Sequence, residues 1–218
     1  MADHPLSPGG FSLAVLDACA LLPPRLSDVL FDLALEGLYL PHWTAEIEDE
    51  FLRNFQAVTG AATAGGGARR LGAFRAAARM RHEIFGHMDP SAIAKVPAAV
   101  DKKDVHVASA ALMLARSAEA DVDKVFLVTA NLEDLPPGAL ASQGVVTLSP
   151  GAFVDALHTV DPERVQRALT RTLADLKNPP YTAAELLAAL ALHGASATVK
   201  SLSKTWGVAP AKGRKRTR

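Results

Sequence analysis

The chain has 218 residues, 49% of them hydrophobic and 21% charged, with a formal net charge of zero; this composition excludes bulk disorder and fits one globular domain with an appendage. The charge is unevenly placed: the last twelve residues, GVAPAKGRKRTR, hold five of the 23 Lys and Arg and no acid, which leaves 18 bases against 23 acids elsewhere. A mildly acidic body excludes a broad polycationic surface, so any affinity for nucleic acid has to come from local patches.

Cys19 is the only cysteine, which excludes an intrachain disulfide and a cysteine-rich zinc site; its apolar surroundings predict a small packed hydrophobe. The start, MADHPLSPGG, has neither the basic nor the apolar region of a signal peptide. Apolar runs such as AAELLAALAL fall well short of the ~20 residues that span a bilayer. A soluble, cytoplasmic protein with no membrane association is expected.

FSLAVLDACALL is apolar at consecutive positions, which predicts a strand buried on both sides, as in a parallel sheet. Pro23 and Pro24 break it, and a helix over 25–36 follows, stopped by Gly37. Thr44 is placed to cap a helix carrying Ile47, Phe51 and Phe55 in line. TGAATAGGG, 59–67, reads as a linker or mobile loop, and a basic helix is predicted over 68–85. SAIAKVP reads as a short extended segment leading to an alanine-rich helix over 103–118. KVFLVTA and GVVTLS read as buried strands. After Pro150 only helices are predicted, started by Ser149 and Asp161 before prolines and by Thr182 with Glu185 as a capping box. The expected class is therefore α/β, with a central parallel sheet followed by a helical C-terminal extension.

Four polar stations lie beside these apolar runs: Asp17, Glu50, Asp104, and Asn131 with Asp134. Ionised carboxylates near a core cost several kcal/mol unless compensated, and no station has an obvious Lys or Arg neighbour. A shared hard cation would compensate them together, because Mg²⁺ is held by carboxylate oxygens and waters. Each station also has a plainer reading: loop amides for Asp17, a helix cap for Asp104 and Asp101, a turn for Asn131 and Asp134. Glu46 is the alternative to Glu50.

Taken in order, VLDACALLPPRLSDVLFDLALEGLYLPHWTAEIEDEFLRNF, DKKDVHVASAAL and LVTANLEDLP resemble the PIN-domain ribonucleases, in particular the VapC-type toxins of bacterial toxin–antitoxin pairs. The resemblance covers roughly residues 11–155. It implies a PIN-like three-layer α/β/α nuclease domain over 11–155 and a helical extension over 156–208, after which the composition predicts a basic, disordered tail over 209–218. It further implies a catalytic set of Asp17, Glu50, Asp104, Asn131 and Asp134, with Mg²⁺ or Mn²⁺ held by Asp17, Glu50, Asp104 and Asp134 and with Asn131, which can coordinate only through its carbonyl, where the family pattern is acidic. The implied activity is metal-dependent endonucleolytic hydrolysis of RNA leaving 5′-phosphate and 3′-hydroxyl ends. The implied partners are an RNA substrate, a VapB-type antitoxin and a second copy in a homodimer.

RNA bound over acids needs cationic contacts. Arg75, Arg79 and His82 share a face of the predicted basic helix and are candidates, as is the tail with Lys212, Arg214, Lys215, Arg216 and Arg218. The apolar face of the helix over 25–36 and the helical C-terminal third are candidate surfaces for antitoxin or dimer. A catalytically silent PIN-like module that binds RNA or protein is the competing expectation, motivated by Asn131. No Asp-x-Asp follows the first strand, as a haloacid-dehalogenase phosphatase would need, because Asp17 is followed by Ala18 and Cys19.

Overall fold

A computed structural model describes residues 11–59, 65–79, 82–118, 122–177 and 180–211. Strand β1 (Phe11–Leu16) is followed by a short turn of helix, α1 (Ala18–Leu21), then α2 (Pro24–Leu35), β2 (Leu40–His42), α3 (Ala45–Thr59) and α4 (Gly66–Ala77). The chain continues through α5 (Pro90–Ile93), α6 (Val105–Ser117), β3 (Val122–Val128), β4 (Val145–Leu148) and four helices, α7 (Pro150–Val160), α8 (Pro162–Asp175), α9 (Ala183–Leu192) and α10 (Ser196–Trp206).

All four strands are parallel, in the order β2-β1-β3-β4. Leu13, Ala14, Val15 and Leu16 are all buried, so both faces of β1 are covered and the sheet is the middle of three layers. After β1 the chain builds outward to β2 and then crosses to the other side for β3. That reversal makes the carboxyl ends of β1 and β3 a topological switch point, where open α/β sheets place ligands. Leu16 pairs with Val128 there.

The C-terminal helices start where their caps predict. Ser149 accepts from the amide of Ala152 and Asp161 from that of Arg164, and Thr182 with Glu185 closes a capping box. This part is tied to the sheet-bearing part by polar contacts. Glu36 after α2 pairs with Arg167 and Arg171 of α8, and the Thr172 hydroxyl donates to Asp32 Oδ2 at 2.6 Å. Within the extension, Asp155 of α7 accepts from the amides of Ala197 and Thr198 at the start of α10.

Several expectations change. The apolar run opening the chain leaves the strand at Leu16, because Asp17 turns it into α1. The basic helix stops at Ala77 rather than near residue 85, and Arg79 has a φ of 52°, incompatible with continuing a helix. SAIAKVP is no extended segment: residues 90–93 form α5, with Pro90 at its first position. Strand β2, within YLPHW, had no reading as a strand. The apolar face of α2 is covered inside the chain, by α4, α8 and α9, instead of being free for a partner. Most of the proposed linker and the basic tail from Lys212 onward lie outside the described residues. Among the described residues, no helix is long and apolar enough to cross a membrane.

Candidate functional site: an acidic crevice at the sheet's carboxyl edge

Asp17 stands directly after β1 and is only 3% exposed. Its placement follows from the strand: the apolar run carries it to the sheet's edge, and its amide still bonds the Val128 carbonyl at 3.1 Å. The side chain does not cap α1. Instead, Oδ2 accepts from the Thr129 hydroxyl at 2.7 Å and from the Cys19 thiol at 2.9 Å. Cys19 is therefore more than packing. Burial, followed by the negative charge of Asp17, pushes its thiol up to about 12, which keeps the proton it donates.

Asp104 occupies the cap position of α6 yet makes no side-chain cap bond, so the plain capping explanation does not hold for it. Asp101 does act as a turn residue, its Oδ1 accepting from the Lys103 amide at 2.9 Å. Burial, then the charges of Asp17, Asp134 and Glu50, raise the Asp104 carboxyl to about 6. Glu50, on α3, is raised by burial and then by Asp17, with His106 and Arg53 pulling the other way. Residues far apart in the chain thus repel one another across one crevice. Asn131 bridges two of them, its Nδ2 lying 2.8 Å from Asp134 Oδ2 and 3.5 Å from Asp104 Oδ2.

The ambiguity between Glu46 and Glu50 is also geometric. Glu46 Oε2 lies 2.9 Å from His87 Nε2, whereas Glu50 lies within reach of Asp17 and 3.9 Å from His106 Nε2. Arg75 forms an ion pair with Glu48, and His82 is buried and stacked on Trp43 at 4.1 Å between ring centroids. Arg79 lies beyond the end of α4. These three side chains do not make the common cationic face that one long helix would give.

Thr129, Cys19 and His106 were not among the candidates. Thr129 is fully buried, and its hydroxyl also accepts from the Asn131 amide at 2.9 Å. A signal existed in LVTAN: a threonine closing a buried strand just before a polar turn. His106 Nε2 is buried without a hydrogen-bond partner among the described residues. It faces the same crevice two residues beyond Asp104.

The crevice offers hard oxygen donors from Asp17, Glu50, Asp104 and Asp134, the donor chemistry of Mg²⁺ or Mn²⁺. Among the described residues, no Lys or Arg forms an ion pair with any of these four acids. Their mutual repulsion leaves a charge deficit that a divalent cation suits. The group is open: among the described residues, no three His, Cys, Asp or Glu side chains close into a ready-made cation cage. Mg²⁺ commonly keeps several waters and takes one or two carboxylates, so the donor set fits such an ion.

Residues 150–204, the helices α7 to α10, match the family model described as the VapC50 C-terminal domain. The matched stretch is thus similar to the C-terminal domain of a VapC-type protein and lies outside the crevice. No curated protein and no solved structure matches the chain.

Proposed function

We propose that the protein is a Mg²⁺- or Mn²⁺-dependent endoribonuclease, the toxin of a VapC-type toxin–antitoxin pair. The observation that carries the reading is the electrostatic convergence of Asp17, Glu50, Asp104 and Asp134 at the switch point between β1 and β3. The match of residues 150–204 to the VapC50 C-terminal domain supports the same family.

In this reading Asp17, Glu50, Asp104 and Asp134 hold the cation, and Asn131 orients Asp104 and Asp134 through its Nδ2. When bound, the cation supplies Lewis-acid polarisation of the scissile phosphate and lowers the pKa of an attacking water. Thr129 and Cys19 fix Asp17 by holding Oδ2, which fixes the direction of Oδ1. Asp104, raised to about 6, is ionised at neutral pH and becomes protonated in mild acid. Cleavage leaving 5′-phosphate and 3′-hydroxyl ends, restraint by a VapB-type antitoxin, a homodimer and a cytoplasmic location complete the proposal.

The test is incubation of the purified chain with RNA and either Mg²⁺ or Mn²⁺, beside Asp17→Asn. Cleavage that needs the metal and falls at least about a hundredfold in the variant supports the enzyme, since one ligand supplies several kcal/mol through the cation. Metal-independent cleavage, or equal cleavage by the variant, overturns it. A second reading, a PIN-like module that binds RNA or protein without turnover, is favoured by one observation: the Asn131 amide already satisfies two of the acids. RNA binding without cleavage in either protein supports that reading.

A further inference from the structure

The acids of the crevice would repel an RNA backbone, so the cations that seat the strand have to be identified. Most guanidinium groups near the sheet are committed to the fold. Arg25 and Arg70 pair with Asp28, Arg75 with Glu48, and Arg167 and Arg171 with Glu36. Lys102, Lys103 and Arg53 differ: all three are exposed and form no ion pair among the described residues.

These three adjoin different acids of the crevice. Lys102 and Lys103, with residues 98–101, Glu133 and Asp134, line an open cleft of about 540 Å³ that abuts the acids. Its wall is held by one backbone and one side-chain bond, the Asp101 amide donating to the Asp134 carbonyl at 2.9 Å and the Lys103 amide to the Asp101 side-chain Oδ1 at 2.9 Å. Arg53 stands on α3, one turn beyond Glu50 and close enough to act on its charge. The lysine pair thus adjoins Asp134 and the arginine adjoins Glu50, two acids that both act on Asp104. Cations beside both acids would offset the repulsion of a flexible polyanion crossing the group, each neutralising a phosphate and releasing counterions.

We propose that Lys102 and Lys103 beside Asp134, and Arg53 beside Glu50, form a cationic track that seats the sugar–phosphate chain of RNA across the acidic crevice. The proposal rests on the nuclease reading and adds which residues hold the strand. Lysine and arginine contacts of this kind read phosphate rather than base, so the track sets strand placement and not sequence preference.

The test is equilibrium binding of a short labelled single-stranded RNA to the full chain in EDTA, over a series of salt concentrations, using fluorescence anisotropy. Lys102→Gln/Lys103→Gln is expected to lower the slope of log Kd against log salt by about 1.4, and Arg53→Gln by about 0.7, at roughly 0.7 per phosphate contact on a single strand. Lys200→Gln, an exposed lysine on α10, controls for overall charge and keeps the wild-type slope. Charge reversal at Lys102 and Lys103 is expected to weaken binding further than neutralisation does. If the wild type binds and, with Mg²⁺, cuts RNA while the track variants keep its slope, the track is wrong and the nuclease reading stands. If the wild type neither binds nor cuts RNA with either metal, both fall.

Discussion

The hydroxyl of Thr129, at the end of β3, donates to Asp17 Oδ2 at the end of β1 across 2.7 Å; Thr129 is fully buried and Asp17 keeps only a sliver of exposure. One bond therefore joins the two strand ends that form the switch point and fixes the most buried acid of the crevice. The Asn131 amide bonds the same hydroxyl, so a single side chain sets the position of two candidate site residues.

Replacing that hydroxyl while keeping the volume isolates its effect. Thr129→Val removes a donor from Asp17 and an acceptor from the Asn131 amide, leaving buried polar atoms short of a partner. The expected loss is about 1–3 kcal/mol of stability, read as a lower midpoint in urea. A larger loss of nuclease activity than of stability is expected as well. An unchanged midpoint would contradict the role given to the hydroxyl.

Asn131→Asp tests the one departure from an all-acidic site. Another carboxylate beside Asp104 and Asp134 adds repulsion in the absence of metal, at a cost of about 1 kcal/mol, and improves the site for a cation. The variant is expected to melt lower in EDTA, to bind Mn²⁺ about tenfold tighter and to cut RNA at lower metal concentration. A variant that is as stable as the wild type in EDTA and no tighter for Mn²⁺ would contradict the placement of position 131 beside the cation, between Asp104 and Asp134.

Asp32, between α2 and α8, gives a pH dependence of an unusual sign. Burial lifts its carboxyl from 3.8 to about 6, against the pull of the Thr172 hydroxyl and Arg171. The folded chain thus binds more protons than the unfolded chain between those two values, so this group's contribution falls as pH rises from 3.8 to about 6 and is level above. Asp104, also raised to about 6, acts in the same direction. Burial also works against the Glu48 carboxyl, but bonds from Arg75 and Trp43 outweigh it and hold the group below its usual 4.5, so its contribution is lost only in stronger acid. The stability contributed by the Asp32 and Asp104 carboxyls is therefore larger at about pH 5 than at pH 7, while His42, His82 and His193, lowered by burial, act in the opposite direction as pH rises toward neutrality. Asp32→Asn keeps an acceptor for Thr172 and should stabilise the chain at pH 7 by about 1 kcal/mol after discounting for partial exposure, so that the variant gains more over the wild type at pH 7 than at pH 5. Equal pH profiles in melts of the two proteins would refute the assignment.

The legibility of this fold followed the length of its signals. The runs in β1 and β3 are apolar at successive positions, so two-sided burial was readable, and the caps at Ser149, Asp161 and Thr182 announced three helices locally. Strand β2 has three residues, too few for any period to show, and the end of α4 depends on the positive φ of Arg79. The crevice was readable as a set of acids without partners. What bonds Asp17 was not, because Thr129 lies 112 positions away and Cys19 reads as apolar. Arg75 looked free because its partner, Glu48, comes from another helix.

The seating of the C-terminal helices on α7 has its own sharp test. A Cβ on Gly151 would lie 2.1 Å from the His193 carbonyl oxygen and 2.5 Å from the Ala195 nitrogen, both backbone atoms that cannot swing aside. Gly151→Ala is expected to cost about 1–3 kcal/mol, the range of overpacking a close-packed contact, or about 2–4 °C in Tm per kcal/mol at this chain length. The acids of the crevice are on other elements, so Mn²⁺ affinity of the folded variant is expected to hold. A variant as stable as the wild type would mean that α9 and α10 do not sit against α7 in this way.

The central claim, that carboxylates from separate segments serve one divalent site, is tested most directly by calorimetric titration of Mn²⁺ into the metal-free chain, into Asp17→Asn and into Asp104→Asn. The account predicts binding by the wild type, weakening of at least about tenfold in each variant as a ligand's charge is lost, and weaker binding below about pH 6 as Asp104 takes up its proton. Mn²⁺ binding that is absent from the wild type, or is the same in all three proteins, would contradict it.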